Sequence, residues 1–366
     1  MIENNADCRG AGIAIVSKPA DVINAMAAES WFNLASTYII CADNPQRCRA
    51  VEAVLRGQNL THVTAISPCL YSILCSKAAS NNRYRLLMLA ILSLALGASW
   101  RNFANWENRR RFRRLKTAGA TLITDLWRTK IEIAASLDWS SLVIIDGGLS
   151  TRTLGLMPVN NRRIREVISD YQDAQRSDHF NPVRCATARA IQKGLRGYLY
   201  SAPSEAVEFV IRKSELMAPT IFSIYAENQD FDSPIKVIRN ELSNIIDIVN
   251  SKKDGEEIWI VGHPELRHVE NQVNLALQIG GEQVYFVHPR DGNKLWRNPD
   301  LRARYAAAAR QFGFRLRVDE EPLEWALINS ELRPKALVTY RGSSIVGYMN
   351  RLGLNDKIRF VSDHGL

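Results

Sequence analysis

The 366-residue chain has no CxxC pair, no HExxH arrangement, no short-period repeat and no low-complexity tract. It also lacks an apolar run as long as the roughly 18 to 20 residues that a membrane-spanning helix needs. Its six cysteines, Cys8, Cys41, Cys48, Cys69, Cys75 and Cys185, sit mostly in apolar stretches, which reads as reduced, buried thiols. No start resembling a signal peptide is present, so the expected compartment is the cytoplasm. The stretch GHPELRH offers His263, Glu265 and His268 but no third strong ligand at a regular spacing, and no metal is expected there. Asp230 and Asp232 of DFD have the carboxylate spacing of a cation site, yet the Ser-Pro that follows reads as a helix cap.

What is present is a globular composition with 46% hydrophobic residues and a formal net charge of +9, 47 basic against 38 acidic. The excess favours a polyanionic partner: a nucleotide, a phosphorylated glycolipid or an anionic membrane surface. The most apolar window, Leu86 to Trp100, reads as a core helix. It runs into RNFANWENRRRFRRLK, where Arg109, Arg110, Arg111, Arg113, Arg114 and Lys116 interleave with Trp106 and Phe112. Such a helix end serves either as a solvated basic face or as a surface for anionic membrane, ahead of nucleic acid, because no nucleic-acid-binding signature accompanies it.

Along the chain, short apolar runs alternate with helical stretches, the pattern of parallel sheets with ligands at the carboxyl ends of the strands. Residues 1–36 show little periodicity and read as an extension. A strand near Tyr38 to Cys41 leads through Asn44-Pro45 to a helix from about Gln46. Further strands are expected in SLVII, PTIFSI, EIWIV, QVYFV, FRLRV and ALVTY, with a helix over SPIKVIRNELSNIIDIVN. The expected domains are 37–240 and 241–366, the second holding a regular strand and helix alternation.

The polar residues at the strand ends are the candidate site. VYFV breaks into His288-Pro289-Arg290-Asp291: an imidazole able to act as an acid near neutral pH, a rigid turn, and a guanidinium that pairs with phosphate or carboxylate. Gly342-Ser343-Ser344 enters an apolar helix, which reads either as a simple cap or as an anion site. Asp146 leaves its strand beside Gly147-Gly148, a place for a general base and equally a common turn sequence.

The set YIICADNPQ, IIDGG, HPRD and SS, in this order from about Ser36 to Leu352, resembles the bacterial lipooligosaccharide sialyltransferases, glycosyltransferase family 52. More distantly, it resembles other bacterial sialyltransferases and polysialyltransferases. The resemblance implies a GT-B architecture, two Rossmann-like domains facing a cleft, with the second domain taking a CMP-sugar. It implies that His288, within His288-Pro289-Arg290, contacts the CMP phosphate, that Ser343 and Ser344 after Gly342 hold it, and that Glu324 of EPLEWAL reads the cytosine amino group. The base it implies is Asp146, or within this family an acid upstream of the His-Pro motif, Glu265 or Glu270. The chain departs from the usual two-acid form, with Ile145 before Asp146.

The implied activity is inverting transfer of sialic acid from CMP-sialic acid to a hydroxyl of a cell-surface glycan or glycolipid, with no metal and no other cofactor, by a homodimer at the cytoplasmic membrane face. Departure of CMP calls for anion stabilisation at the phosphate more than for a strong nucleophile. Two alternatives stay open: another CMP-activated acidic sugar such as Kdo, and a non-catalytic nucleotide- or nucleic-acid-binding protein.

Overall fold

The computed structural model describes residues 9–41, 45–66, 91, 100–115, 117–125, 130, 133–146, 220–224, 236–262, 269–287, 299–317, 323–340, 343 and 345–361. The chain divides into two compact units, Met1–Asn240 and Glu241–Leu366.

The first unit opens with β1 (Gly10–Val16), α1 (Pro19–Phe32), β2 (Leu34–Ile40), α2 (Pro45–Gly57) and β3 (His62–Thr64). It continues with α3 (Trp100–Phe112), β4 (Ala120–Thr124), β5 (Trp139–Ile145), β6 (Thr220–Ser223) and β7 (Lys236–Arg239). The seven strands lie in the order β3-β2-β1-β4-β5-β6-β7, and every pairing is parallel. Strands buried on both faces need apolar side chains on both, so they read as unbroken runs such as IAIV and LVII instead of alternating ones. One face packs Ile13, Ile15, Ile39, Leu122, Leu142, Ile144 and Ile221 against Phe112, Ile133 and Leu137. Gly12 is required by the closeness of β1 and β2: a Cβ there would stand 2.1 Å from the Ser36 hydroxyl.

The second unit contains α4 (Ser243–Asn250), β8 (Lys253–Asp254), β9 (Glu257–Val261), α5 (Val269–Ile279) and β10 (Glu282–Phe286). There follow α6 (Pro299–Phe312), β11 (Arg315–Arg317), α7 (Leu323–Asn329), β12 (Leu332–Arg333), β13 (Ala336–Thr339), α8 (Ile345–Arg351) and β14 (Ile358–Phe360). Five strands form a second parallel sheet in the order β11-β10-β9-β13-β14, and β12 pairs with β8 separately. Tyr285 lies at the centre of its core, stacked on Phe314 with ring centroids 5.0 Å apart and 6.2 Å from Tyr305.

Both sheets are therefore α/β and doubly wound, compatible with Rossmann-like folding. Two expectations are corrected. Residues 10–36 are no extension: they supply β1 and α1, with β1 in the interior of the first sheet. Helix α1 shows no periodicity because Val22, Ile23, Asn24, Ala25, Ala27 and Ala28 are all buried, leaving little of it polar. The helix expected over SPIKVIRNELSNIIDIVN is a strand, β7, followed by a helix from Ser243 only. The β-branched pair Val237-Ile238 extends the sheet beside β6, and Leu242, at φ 52°, breaks the chain before the helix.

The predicted strand over Tyr38 to Cys41 is longer, starting at Leu34, and the following helix begins at Pro45. Cys41 is buried and Cys48 half-buried. Of the window 86–100, only Ile91 and Trp100 are described, and Ile91 is 54% exposed. The carboxylates of DFD lie outside the described residues. Among the described residues, no helix is long and apolar enough to cross a membrane.

Candidate functional site

In a doubly wound parallel sheet, all strand carboxyl ends share one edge, and ligands enter where the strand order reverses. In the second unit that point lies between β9 and β13, which pair through Ala336 to Val338 opposite Ile258 to Ile260.

Several side chains along this carboxyl edge are described. After β9, the chain enters α5, whose first turn carries Glu270 on the exposed side. Gln272, buried on that turn, donates from Nε2 to the Val261 carbonyl at 2.5 Å and accepts from the Tyr285 hydroxyl at 3.3 Å. It thereby ties the start of α5 to the ends of β9 and β10. After β11, Glu324 stands half-buried in the first turn of α7, between the buried Leu323 and Trp325. After β13, half-buried Ser343 donates its N–H to the Tyr340 carbonyl at 3.0 Å and accepts from Val346 N–H at 3.3 Å, a turn that leads into α8. That helix is only seven residues long. Its dipole is short, so the hydroxyl is the stronger feature.

Sequence reasoning missed Thr339, the last residue of β13. It is 0% exposed, and its Oγ1 has no hydrogen-bond partner among the described residues. A buried hydroxyl without a partner costs about 1–3 kcal/mol. The available signal was a threonine closing an otherwise apolar run at the switch point.

Glu270, Glu324 and Ser343 thus share the carboxyl edge of one sheet, each following a different strand. Glu265, His288, Pro289, Arg290, Gly342 and Ser344 lie outside the described residues. His288 directly follows Val287, whose N–H bonds to the Arg317 carbonyl at 3.1 Å at the carboxyl end of β10.

Asp146, in the first unit, is 2% exposed. Its Oδ1 accepts from the Ser223 hydroxyl at 2.6 Å and its Oδ2 from Ile224 N–H at 2.7 Å. Its carbonyl accepts from Asn24 Nδ2 at 3.3 Å, and Asn24 Oδ1 accepts from Asn240 Nδ2 at 3.3 Å. This network clamps the ends of β5 and β6 to α1 and to the residue after β7. Each carboxylate oxygen is already held from within the protein.

The first sheet also reverses direction, between β1 and β4, and a charged cluster absent from the sequence reading lies there. Lys130 Nζ is 2.6 Å from Asp21 Oδ2 and 2.7 Å from Asp125 Oδ1. The Lys130 and Asp21 side chains are 0% exposed, and Asp125 is 8%. Asp21 Oδ2 also accepts from Ser17 N–H at 2.8 Å, the Ser17 hydroxyl at 3.1 Å and Lys18 N–H at 3.1 Å. One carboxylate therefore closes the turn between β1 and α1, and Lys130 fastens that turn to Asp125, the residue after β4. The local signal was KPAD, a proline at the first helical position and an acid at the third.

Burial alone would raise the Asp21 carboxyl, but Lys130, Lys18 and the hydrogen bonds outweigh it and hold it below its ordinary 3.8. Burial would likewise lower Lys130, but Asp125 and Asp21 outweigh it and hold the ammonium above its ordinary 10.5.

Compared with models of known families and with curated proteins, the chain matches none.

Two predictions follow from these geometries. Asp21 contributes stability above about pH 3.8 that is lost as the pH falls through its folded value, and Lys130 contributes stability below about 10.5 that is lost on the alkaline side. Lys130→Met removes the buried cation between two carboxylates and leaves Asp21 only the more distant Lys18, so urea unfolding at neutral pH should show a loss of about 3–5 kcal/mol. That loss should shrink towards acid pH, as Asp21 takes up a proton. A loss independent of pH would contradict an electrostatic role. Thr339→Val, nearly isosteric, should raise the Tm of the unliganded protein by a few degrees, because it removes an unpartnered buried hydroxyl. A lowered Tm would show that the hydroxyl is satisfied.

Proposed function

We propose that the protein is an inverting glycosyltransferase that moves sialic acid from CMP-sialic acid to a hydroxyl of a cell-surface glycan of lipooligosaccharide or capsule type. In this reading, the two α/β units are the halves of a GT-B enzyme and the second unit takes the CMP-sugar. The observation that carries it is the placement of Glu270, Glu324 and Ser343 on the carboxyl edge of the second sheet, after β9, β11 and β13. Nucleotides bind at that edge in doubly wound folds, so the support does not depend on motif resemblance alone.

The chemistry is a single displacement. The acceptor oxygen forms a bond to the anomeric carbon as the bond from that carbon to the CMP phosphate oxygen breaks, and the configuration inverts. CMP leaves with the electron pair of the broken bond, so negative charge grows on its phosphate. By resemblance, His288 and the hydroxyls of Ser343 and Ser344 receive that charge, with Arg290 a further cation nearby in sequence. Glu324 contacts the cytosine amino group.

A carboxylate takes the proton of the acceptor hydroxyl. Asp146 would have to serve while both of its oxygens hold Ser223 and Ile224. Glu270 is exposed and carries no ion pair or hydrogen bond among the described residues, which leaves it the better placed of the two; Glu265 precedes it in the chain.

The test is release of CMP from CMP-sialic acid in the presence of lipooligosaccharide- or capsule-type glycan acceptors, for the wild type and for His288→Ala. The wild type should transfer, and the variant should lose roughly 100-fold or more in turnover with an unchanged unfolding curve. Unchanged turnover in the variant would remove the leaving-group role. Transfer only from a different CMP-sugar would retain the fold reading and replace the substrate.

A further inference from the structure

Helix α3 has two unlike faces. Inward, Ala104, Asn108 and Phe112 are buried. The Asn108 side chain accepts from Ile66 N–H at 2.7 Å and donates to the Ile66 carbonyl at 2.9 Å. Arg111 Nη1 donates to the Thr64 carbonyl at 3.1 Å, so the helix is fastened to the chain at the end of β3. Outward, Trp106 is 58% exposed, and Arg109, Arg110 and Arg113 follow it at spacings that repeat on one helical face. Arg113 continues the helical bonding through its N–H to the Arg109 carbonyl at 3.0 Å. Glu107 binds Arg110 at 2.6 Å and Arg111 at 3.2 Å, whereas Arg109, Arg113 and Arg114 have no ion pair among the described residues.

We infer that this face docks the protein on an anionic lipid surface, with Trp106 in the headgroup layer and Arg109, Arg113 and Arg114 on lipid phosphates. Three observations favour lipid over nucleic acid. The indole is offered to solvent in the middle of the basic face, where an amphipathic ring suits a membrane interface. The helix directly follows the most apolar window of the chain, Leu86 to Trp100. Ile91 of that window is 54% exposed, and an aliphatic side chain adds nothing to binding a phosphate backbone. The net charge of +9 acts in the same direction over longer range.

The test is sedimentation of the full chain with vesicles of phosphatidylcholine alone and of phosphatidylcholine mixed with phosphatidylglycerol, at low and high salt. Binding is expected to the mixed vesicles and to weaken as salt screens the charges. Each of these arginines near an anionic surface contributes roughly fivefold to partitioning, so Arg109→Gln/Arg113→Gln/Arg114→Gln should weaken binding on the order of 100-fold. Trp106→Ser should weaken it severalfold, while Trp31→Ser, an equally exposed tryptophan at 54% on α1, should not. Absence of binding to the mixed vesicles, or unchanged binding by the triple variant, would overturn the proposal. So would the triple variant losing affinity for a labelled RNA oligonucleotide that the wild type binds while ignoring vesicles. No nucleotide sugar enters the assay, so this result stands or falls separately from the transferase reading.

Discussion

Parallel pairing imposes one constraint on which the rest of the molecule depends. When every strand of a sheet runs the same way, each connection must cross back over a face, both faces are covered, and all strand carboxyl ends gather on one edge. That edge is the one place where the backbone leaves the core carrying polar side chains, and at the reversal of strand order the loops on either side diverge and leave a crevice. Each sheet of this protein has such a point, between β1 and β4 and between β9 and β13.

The two points carry different chemistry. At the first, Lys130 joins Asp21 and Asp125 in an ion triad with no solvent access to the lysine. Bringing three charges into a low dielectric is costly, and the mutual attraction, with the hydrogen bonds from Ser17 and Lys18 to Asp21 Oδ2, offsets it. Such a cluster specifies geometry more than it adds stability: it sets the turn after β1 against the end of β4. On the carboxyl edge of the second sheet, Ser343 and Glu324 are half-buried and Glu270 is exposed; the Thr339 hydroxyl there, like Asp21 Oδ1 at the first point, has no hydrogen-bond partner among the described residues. What separates the two points is exposure: the triad is buried, whereas Glu270 is exposed and Glu324 and Ser343 are half-buried. This difference in exposure is the reason the proposed donor site is put in the second unit.

Much of this was legible in the sequence. Strands such as EIWIV, VYF and ALVT announce themselves because parallel strands buried on both faces need continuous apolar runs. The start of β1 carries Gly10 and Gly12, and α1 is buried nearly all round, so both lacked the periodicity that betrays a half-exposed element. In KVIRNEL, apolar spacing suits a helix locally, and only pairing with β6 makes its first part a strand. The triad joins Asp21 to a lysine 109 positions away, and the local context of that lysine, WRTK, does not mark it as buried. Asp146 was visible as a strand-end acid, but its bonds to Ser223 and Ile224 come from 77 and 78 residues away.

In the proposed function, the second unit would hold the cytidine nucleotide of the donor at its carboxyl edge. Calorimetric titration of the full chain with CMP, repeated with Ser343→Ala/Ser344→Ala, tests it most directly. Micromolar binding by the wild type that is lost in the double variant, with both proteins folded by circular dichroism, is the predicted result. No CMP binding by the folded wild type, or equal binding by the variant, would contradict it.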